Sequence, residues 1–240
     1  MAGVCSEFFT KGDKKWLEMR KGFITATDSP SLFGLNQYSS PQKVLDSKLN
    51  PSFVDNVFTR MGKILEPAVA EATQMALNKP VSLYGDGANL IYYDKDLMLS
   101  ATPDAYVGES EGTASHVLEL KSTSPNKLRG WKSSPPLHYI CQLAVQCILL
   151  NNNKGMLSIL SPQYPTMPIV IFELTLTDAV KELIINEVKR FWSCSSVETG
   201  ETKFRVSSAK KGLLTMEFLD NLTLIYEEGL DEIVFDSIKW

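Results

Sequence analysis

The chain has few of the residues that build metal cages or disulfide frameworks. Of its 240 residues four are cysteine and two are histidine, and no C-x-x-C pair occurs. A structural zinc or iron–sulfur site therefore lacks its ligand spacing, and Cys5, Cys141, Cys147 and Cys194 are expected as buried thiols. Long apolar runs are missing too. Ile169–Phe172 and Ile140–Leu150, the latter interrupted by Gln142 and Gln146, fall short of the roughly 18 continuous apolar residues of a membrane span, so no membrane association is expected. The opening MAGVCSEFFTKGDKKW has no apolar core followed by a small-residue cleavage site, which points to an intracellular, reducing compartment. Internal repeats and low-complexity tracts are also lacking, which excludes solenoid and fibrous architectures.

What remains is an ordinary globular composition. With 44% hydrophobic and 22% charged residues, a chain of this size buries roughly 70% of its unfolded surface, and residues 1–240 read as one domain. The net charge of −4 is unevenly spread: Leu213–Trp240 holds seven acids against Lys239 alone, leaving Met1–Gly212 at +2. The mildly basic body is compatible with a polyanionic partner, and the acidic 213–240 segment reads as an amphipathic helix packed at a surface or subunit interface.

Periodicity divides the chain into helical and extended stretches. Lys14–Lys21, Pro41–Leu49 with its N-terminal proline, and Thr59–Leu77 with a possible kink at Pro67 read as helices around a turn-rich Thr27–Gly34. Asn89–Tyr93, Met98–Thr102, Ala105–Val107 and His116–Ser122 read as strands. Ile140, Leu143, Ala144, Cys147 and Ile148 repeat with helical spacing, so Leu137–Leu150 is an amphipathic helix. Two further strands, Lys154–Leu160 and Pro168–Leu176, are joined by a loop containing Pro162, Pro165 and Pro168, and a helix follows over Asp178–Trp192. Strands alternating with helices in this order predict an α/β fold with a central mixed sheet flanked by helices.

The chemistry concentrates around Asp104, after Pro103, and Glu119 and Lys121 in Val117-Leu118-Glu119-Leu120-Lys121. Strand alternation projects Glu119 and Lys121 to one side, and Asp104 precedes them at hairpin-like separation. Two carboxylates suit a hard divalent cation, and a lysine beside them stays protonated. Taken alone, E-x-K on a strand more often describes a solvated, salt-bridged face, and the preceding Pro103-Asp104 turn brings the two readings only to parity. Tyr139, Gln142 and Gln146 fall within about 60° of one another on their helix, forming a polar edge; Tyr139 and Gln142 are kept as site residues and Gln146 is not. Lys127, Arg129 and Lys132, interleaved with Trp131, read as a basic loop, which fits equally a segment that tracks phosphates and a merely solvated one.

Pro103-Asp104, with Glu119-Leu120-Lys121 fifteen positions on, resembles the motif of PD-(D/E)XK nucleases. Other segments are similar to one branch, the phage lambda exonuclease or YqaJ-type viral recombinase family. Trp16-Leu17-Glu18-Met19-Arg20-Lys21-Gly22-Phe23-Ile24-Thr25-Ala26-Thr27-Asp28 resembles its W-x-x-x-R-x-G-x-I-T-A-S-[DE] signature, followed by Gly34-Leu35-Asn36 and Ser40-Pro41. Gly62–Pro67 resembles its G-x-x-x-E-P helix, and Tyr139-Ile140-Cys141-Gln142 its Y-x-x-Q helix. Ala105 stands where the family usually has glycine, and Thr27 where it has serine.

The resemblance implies a restriction-endonuclease-like fold and a 5′→3′ exonuclease on double-stranded DNA, acting in viral or phage recombination and DNA processing. By the same likeness Asp104, Glu119, the Leu120 carbonyl and Glu66 would hold two Mg²⁺ ions, for which Mn²⁺ would substitute. Lys121 would position the attacking water, with Tyr139 and Gln142 beside it. Arg20, Thr27 and Thr25 would anchor a terminal 5′-phosphate. Partners would be duplex DNA, a single-strand annealing protein and further copies of the chain in a ring-shaped homotrimer, in the host cytoplasm or nucleus if the protein is viral. An endonucleolytic or RecB-like nuclease of the same fold, or a non-catalytic DNA-binding scaffold, are the alternatives.

Overall fold

The computed structural model describes residues 3–9, 14–52, 56–87, 90–162 and 167–230. Along them the chain runs β1 (Cys5–Phe8), α1 (Lys14–Lys21), β2 (Ile24–Thr25), α2 (Ser29–Leu32), α3 (Pro41–Leu49), α4 (Val57–Leu77), β3 (Val81–Leu83), β4 (Leu90–Asp94), β5 (Leu99–Ala101), β6 (Ala105–Val107) and β7 (His116–Ser122). It continues through α5 (Pro125–Ser133), α6 (Leu137–Leu149), β8 (Lys154–Leu160), β9 (Ile169–Thr175), α7 (Asp178–Ser193), β10 (Ser195–Ser196), β11 (Glu201–Thr202), α8 (Ser208–Asp220) and β12 (Leu222–Glu228).

The main sheet has the order β12-β9-β8-β7-β6-β3, and a second sheet the order β1-β4-β5-β2. Both are mixed: β7 runs parallel to β8 and β2 parallel to β5, and the other neighbours are antiparallel. Parallel neighbours need a crossover, and α5 with α6 supplies the one between β7 and β8. The expected mixed sheet flanked by helices is present; the second sheet is an addition.

Residue alternation sorts β7 between two cores. Leu118 and Leu120 pack with Val69 and Ala70 of α4, whereas Val117 joins Leu143, Ala144 and Cys147 of α6. Glu119 and Lys121 share the parity of Val117, so they rise toward α6. α6 lies close to the sheet because β8 offers it a glycine: a Cβ on Gly155 would come within 2.8 Å of Cys147 Sγ and Leu143 Cγ. On the other face, α4 is fixed by a buried hydroxyl pair, Thr73 Oγ1 and Ser158 Oγ at 2.7 Å. Its N-terminus is capped by Asn56, whose side chain accepts from Thr59 N–H, and its C-terminus ends at Asn78 in the left-handed region, φ 49°. The helix continues through Pro67.

Three expectations are corrected. Of the four cysteines only Cys141 and Cys147 are buried, whereas Cys5 is exposed and Cys194 is half-buried. The 213–240 segment is not one helix: α8 ends at Asp220, and Leu222–Glu228 is an edge strand antiparallel to β9. Leu222, Thr223, Leu224, Ile225 and Tyr226 favour extended backbone, and the free edge of β9 supplies a ladder that an isolated helix lacks. Residues 231–240 lie outside the described residues, as does Pro165 of the loop expected before β9. The basic segment is not a loop but α5, with Pro125 in its first turn. Its Lys132 Nζ pairs with Glu227 Oε1 at 2.7 Å and its Arg129 Nη2 donates to the Leu230 carbonyl at 3.4 Å, so both cations brace the edge strand and its continuation.

Candidate active site

β6 begins just after Pro103-Asp104 and covers only the first half of β7, pairing Ala105 with Leu118 and Val107 with His116. Beyond that point the flank of β7 is taken by a side chain: Asp104 Oδ2 accepts the Leu120 N–H at 2.9 Å. In a strand the N–H and C=O of one residue point the same way, so the Leu120 carbonyl also faces the side where β6 has ended. The Asp104 backbone is tied in turn, its carbonyl accepting Tyr84 N–H at 3.1 Å.

Glu119 is fully buried and its carboxylate is held by three donors. Lys121 Nζ and Gln142 Nε2, the latter at 2.6 Å, meet Oε1, and Gln146 Nε2 meets Oε2 at 2.5 Å. Lys121 Nζ also stands 3.7 Å from Asp104 Oδ2, so one ammonium serves both carboxylates. Burial first, and then the Asp104 charge, push the Glu119 pKa up to about 7, against the opposing pull of Lys121. Burial works against the Lys121 charge, but Glu119 and Asp104 outweigh it and raise its pKa, so it stays an ammonium. Tyr139 turns its ring to that ammonium, 5.2 Å from the centroid, and is backed edge-on by Trp131 at 5.8 Å. Helical spacing of three and four residues explains why Tyr139, Gln142 and Gln146 arrive together.

The N-terminal residues form a second cluster. Asp28 Oδ2 accepts from Thr25 Oγ1 at 2.6 Å, from Thr25 N–H at 3.1 Å and from Lys48 Nζ at 2.5 Å. The Lys48 and Asp28 side chains are 3% and 15% exposed, so this is a largely buried pair. Burial favours the neutral acid, yet Lys48 and then Arg20 overcome it and hold the Asp28 pKa below the ordinary carboxylate value. The Arg20 guanidinium lies over the Trp16 ring, 4.6 Å from the centroid. The Thr25 hydroxyl is therefore engaged inward with Asp28, whereas Thr27 is exposed.

One cleft of about 520 Å³ gathers these groups. It is lined by Arg20, Thr25 and Thr27, by Glu66 and Lys63 of α4, by Asp104, Leu120 and Lys121, and by Tyr139 and Gln142. Glu119 lies behind Lys121 and Gln142 instead of on the wall. Every residue given a metal, catalytic or phosphate-anchoring role from the motifs is thus at or immediately beneath one cavity, walled by α4, the end of β7, α6 and the second sheet, whereas the basic segment of α5 lies outside its lining. Among the described residues no three His, Cys, Asp or Glu side chains come together as a closed metal cage. The oxygen donors are two adjacent carboxylates and the Leu120 carbonyl, with Glu66 elsewhere on the wall.

Three residues of this arrangement were not singled out as site residues from the sequence. Asp28 and Lys48 form the buried pair beneath Arg20, which no local pattern links across twenty positions. Gln146 was set aside, although its spacing of four from Gln142 is the signal that places both amides on Glu119.

Comparisons with known proteins agree with this fold. An alkaline exonuclease from Laribacter hongkongensis, LHK-Exo, superposes with a TM-score of 0.60 at 17% identity, covering 87% of this chain and 99% of that one. The same enzyme in complex with dAMP gives 0.59 over the same shares, at the same identity. A phage-related exonuclease from Haemophilus somnus 129PT gives 0.51 at 10% identity, covering 81% of this chain and 96% of that one. At these identities the likeness is one of fold, and it bears out the restriction-endonuclease-like architecture. No curated protein matches. A family model for the YqaJ-like viral recombinase domain matches residues 15–150, the stretch that carries both clusters of the cleft. The chain belongs to the YqaJ-like viral recombinase family.

Proposed function

We propose that the protein is a Mg²⁺-dependent exodeoxyribonuclease that degrades double-stranded DNA from 5′-phosphorylated ends, 5′→3′, in recombination and DNA processing. The observation that carries this reading is the meeting, in one cleft, of a carboxylate–lysine centre at the end of β7 with an arginine–threonine cluster. Family membership supports the recombination role. The alkaline exonucleases among the structures it resembles, one of them with a nucleoside monophosphate, support the substrate class.

The donor set fits a hard dication. Asp104 stands close enough to Glu119 for its charge to disfavour that of the buried carboxylate, the Leu120 carbonyl faces the side of Asp104, and all three are oxygens of the kind that Mg²⁺ and Mn²⁺ take. These groups and Glu66 would hold two ions. When bound, the ions supply the Lewis-acid charge that activates a water and steadies the leaving oxygen of a phosphodiester.

The chain's own residues do the rest. The Lys121 ammonium, restrained by Tyr139, orients the attacking water and stabilises the negative charge developing on the phosphoryl oxygens. Gln142 holds Glu119 and offers an amide to the substrate backbone. Arg20 presents a bidentate fork and Thr27 a hydroxyl to a terminal phosphate, while Thr25 acts through Asp28. A ring-shaped homotrimer around duplex DNA, an annealing-protein partner and a location in the host cytoplasm or nucleus complete the proposal; among the described residues no helix is long and apolar enough to cross a membrane.

Digestion of linear duplex carrying a 5′-phosphate, the same duplex carrying a 5′-hydroxyl, and nicked or closed circles tests this reading. Charge-assisted contacts to one phosphate are worth about 1.5–3 kcal/mol, so the phosphorylated ends should be degraded about 10- to 100-fold faster, and closed circles left intact. Closed circles cut as fast as linear DNA would make the enzyme an endonuclease.

A further inference from the structure

We propose that Gln146 is a positioning residue for the acidic centre: its amide anchors the inner oxygen of Glu119 so that the outer oxygen stays turned toward Asp104 and the cleft. The inference rests on the reading of Glu119 as a metal ligand.

The geometry separates the two carboxylate oxygens. Oε1 meets Lys121 and Gln142, both of which line the cleft, whereas Oε2 meets Gln146 alone among the described residues. Gln146 and Glu119 are each fully buried, so solvent does not compete for this bond. The neighbours of Gln146 on α6, Leu143, Ala144, Val145 and Cys147, are buried and apolar. Within that layer the Gln146 amide oxygen finds no hydrogen-bond partner among the described residues. Filling the core does not by itself account for a glutamine here, since an apolar side chain of the same shape would fill the space without stranding an acceptor. What the side chain does accomplish is one directed bond, to the carboxylate that also meets Lys121. The Glu119 side chain has three rotatable bonds between its Cα and its carboxylate oxygens, and a donor on the far oxygen removes the swing that Lys121 and Gln142, both on the near oxygen, permit. Residues that orient a ligand from behind set metal affinity without touching the metal.

Calorimetric titration of Mn²⁺ alone into the full chain tests this, with wild type, Gln146→Met, Gln146→Asn and Asp104→Asn side by side. Gln146→Met keeps the volume and removes the amide; Gln146→Asn keeps the amide and withdraws it from Oε2. The expected result is a dissociation constant weakened about 10- to 100-fold in both, at unchanged stoichiometry, with turnover on linear DNA recovering at saturating Mn²⁺. A purely structural role would instead lower the stoichiometry through misfolded chains and leave the constant of the folded remainder unchanged. Constants within twofold of wild type in the Gln146 variants, beside lost binding in Asp104→Asn, would overturn the role of Gln146 and leave the metal site standing. Wild-type affinity in Asp104→Asn, or no binding by the wild-type chain, would overturn the metal reading itself. Should Gln146→Met fail to fold, the shorter amide of Gln146→Asn decides the question.

Discussion

Asp28 illustrates how the cleft is ordered from below. Its carboxylate carries no assigned chemical step, but it takes the Thr25 hydroxyl and the Lys48 ammonium on one oxygen and feels the charge of Arg20. Because its folded pKa lies below the unfolded value of about 3.9, its stabilisation is present above that value and is lost as the pH falls through the folded pKa. Asp28→Asn leaves Lys48 buried without its counter-charge, which costs about 3–5 kcal/mol. Urea unfolding should show that deficit at pH 7 and a smaller one at a pH below the folded Asp28 pKa, where wild type itself is protonated. A deficit equal at both pH values would mean that Asp28 acts through shape and not charge. Of these residues the sequence made Arg20, Thr25 and Thr27 legible, because they sit in one motif. Lys48 was not legible, because its pairing depends on how α3 packs against the turn after β2.

At the scale of elements, the cleft depends on how near α6 comes to β7 and β8. The closeness is permitted by Gly155, whose missing side chain leaves room for Leu143 and Cys147. Gly155→Ala would overfill that contact, at a cost of about 1–3 kcal/mol, and push outward the helix that carries Tyr139, Gln142 and Gln146. The melting midpoint should fall by several degrees, and nuclease activity should fall at temperatures where the variant is fully folded. A wild-type midpoint together with wild-type activity would show that α6 has slack. Elements with strong local patterns were readable: Lys14–Lys21, Pro41–Leu49, Ala105–Val107, His116–Ser122 and Lys154–Leu160 have the expected bounds. Those defined by distant partners were not. β1, β2 and β3 are two to four residues long, too short for periodicity to register, and exist because β4, β5 and β6 offer them edges. β12 has a strand-like composition, but its acidic flanks masked it as part of a helix, and only the open edge of β9 decides between the two.

At the scale of the molecule, two sheets and α4 converge so that residues separated by more than a hundred positions, from Arg20 to Gln142, share one cavity. Motif order along the chain was enough to name the parts of this site, because each motif is a local device: a turn before a strand, an alternating pair on a strand, a polar edge on a helix. Their meeting in one cleft is a property of topology, set by the β7–β8 crossover that lays α6 over the acidic pair. The role of the acidic end of the chain was beyond local patterning, since Glu227 finds its partner, Lys132, 95 positions upstream. The central claim is that this convergence hydrolyses phosphodiesters through Asp104, Glu119 and Lys121 with a divalent cation. It is tested most directly by nucleotide release from 5′-phosphorylated linear duplex, comparing wild type with Mg²⁺, wild type with Mg²⁺ and excess chelator, and the folded variants Asp104→Ala and Lys121→Ala. The account predicts release in the first case only, with Lys121→Ala slower by about 10²–10³-fold or more; full release in chelator, or by either variant, would contradict it.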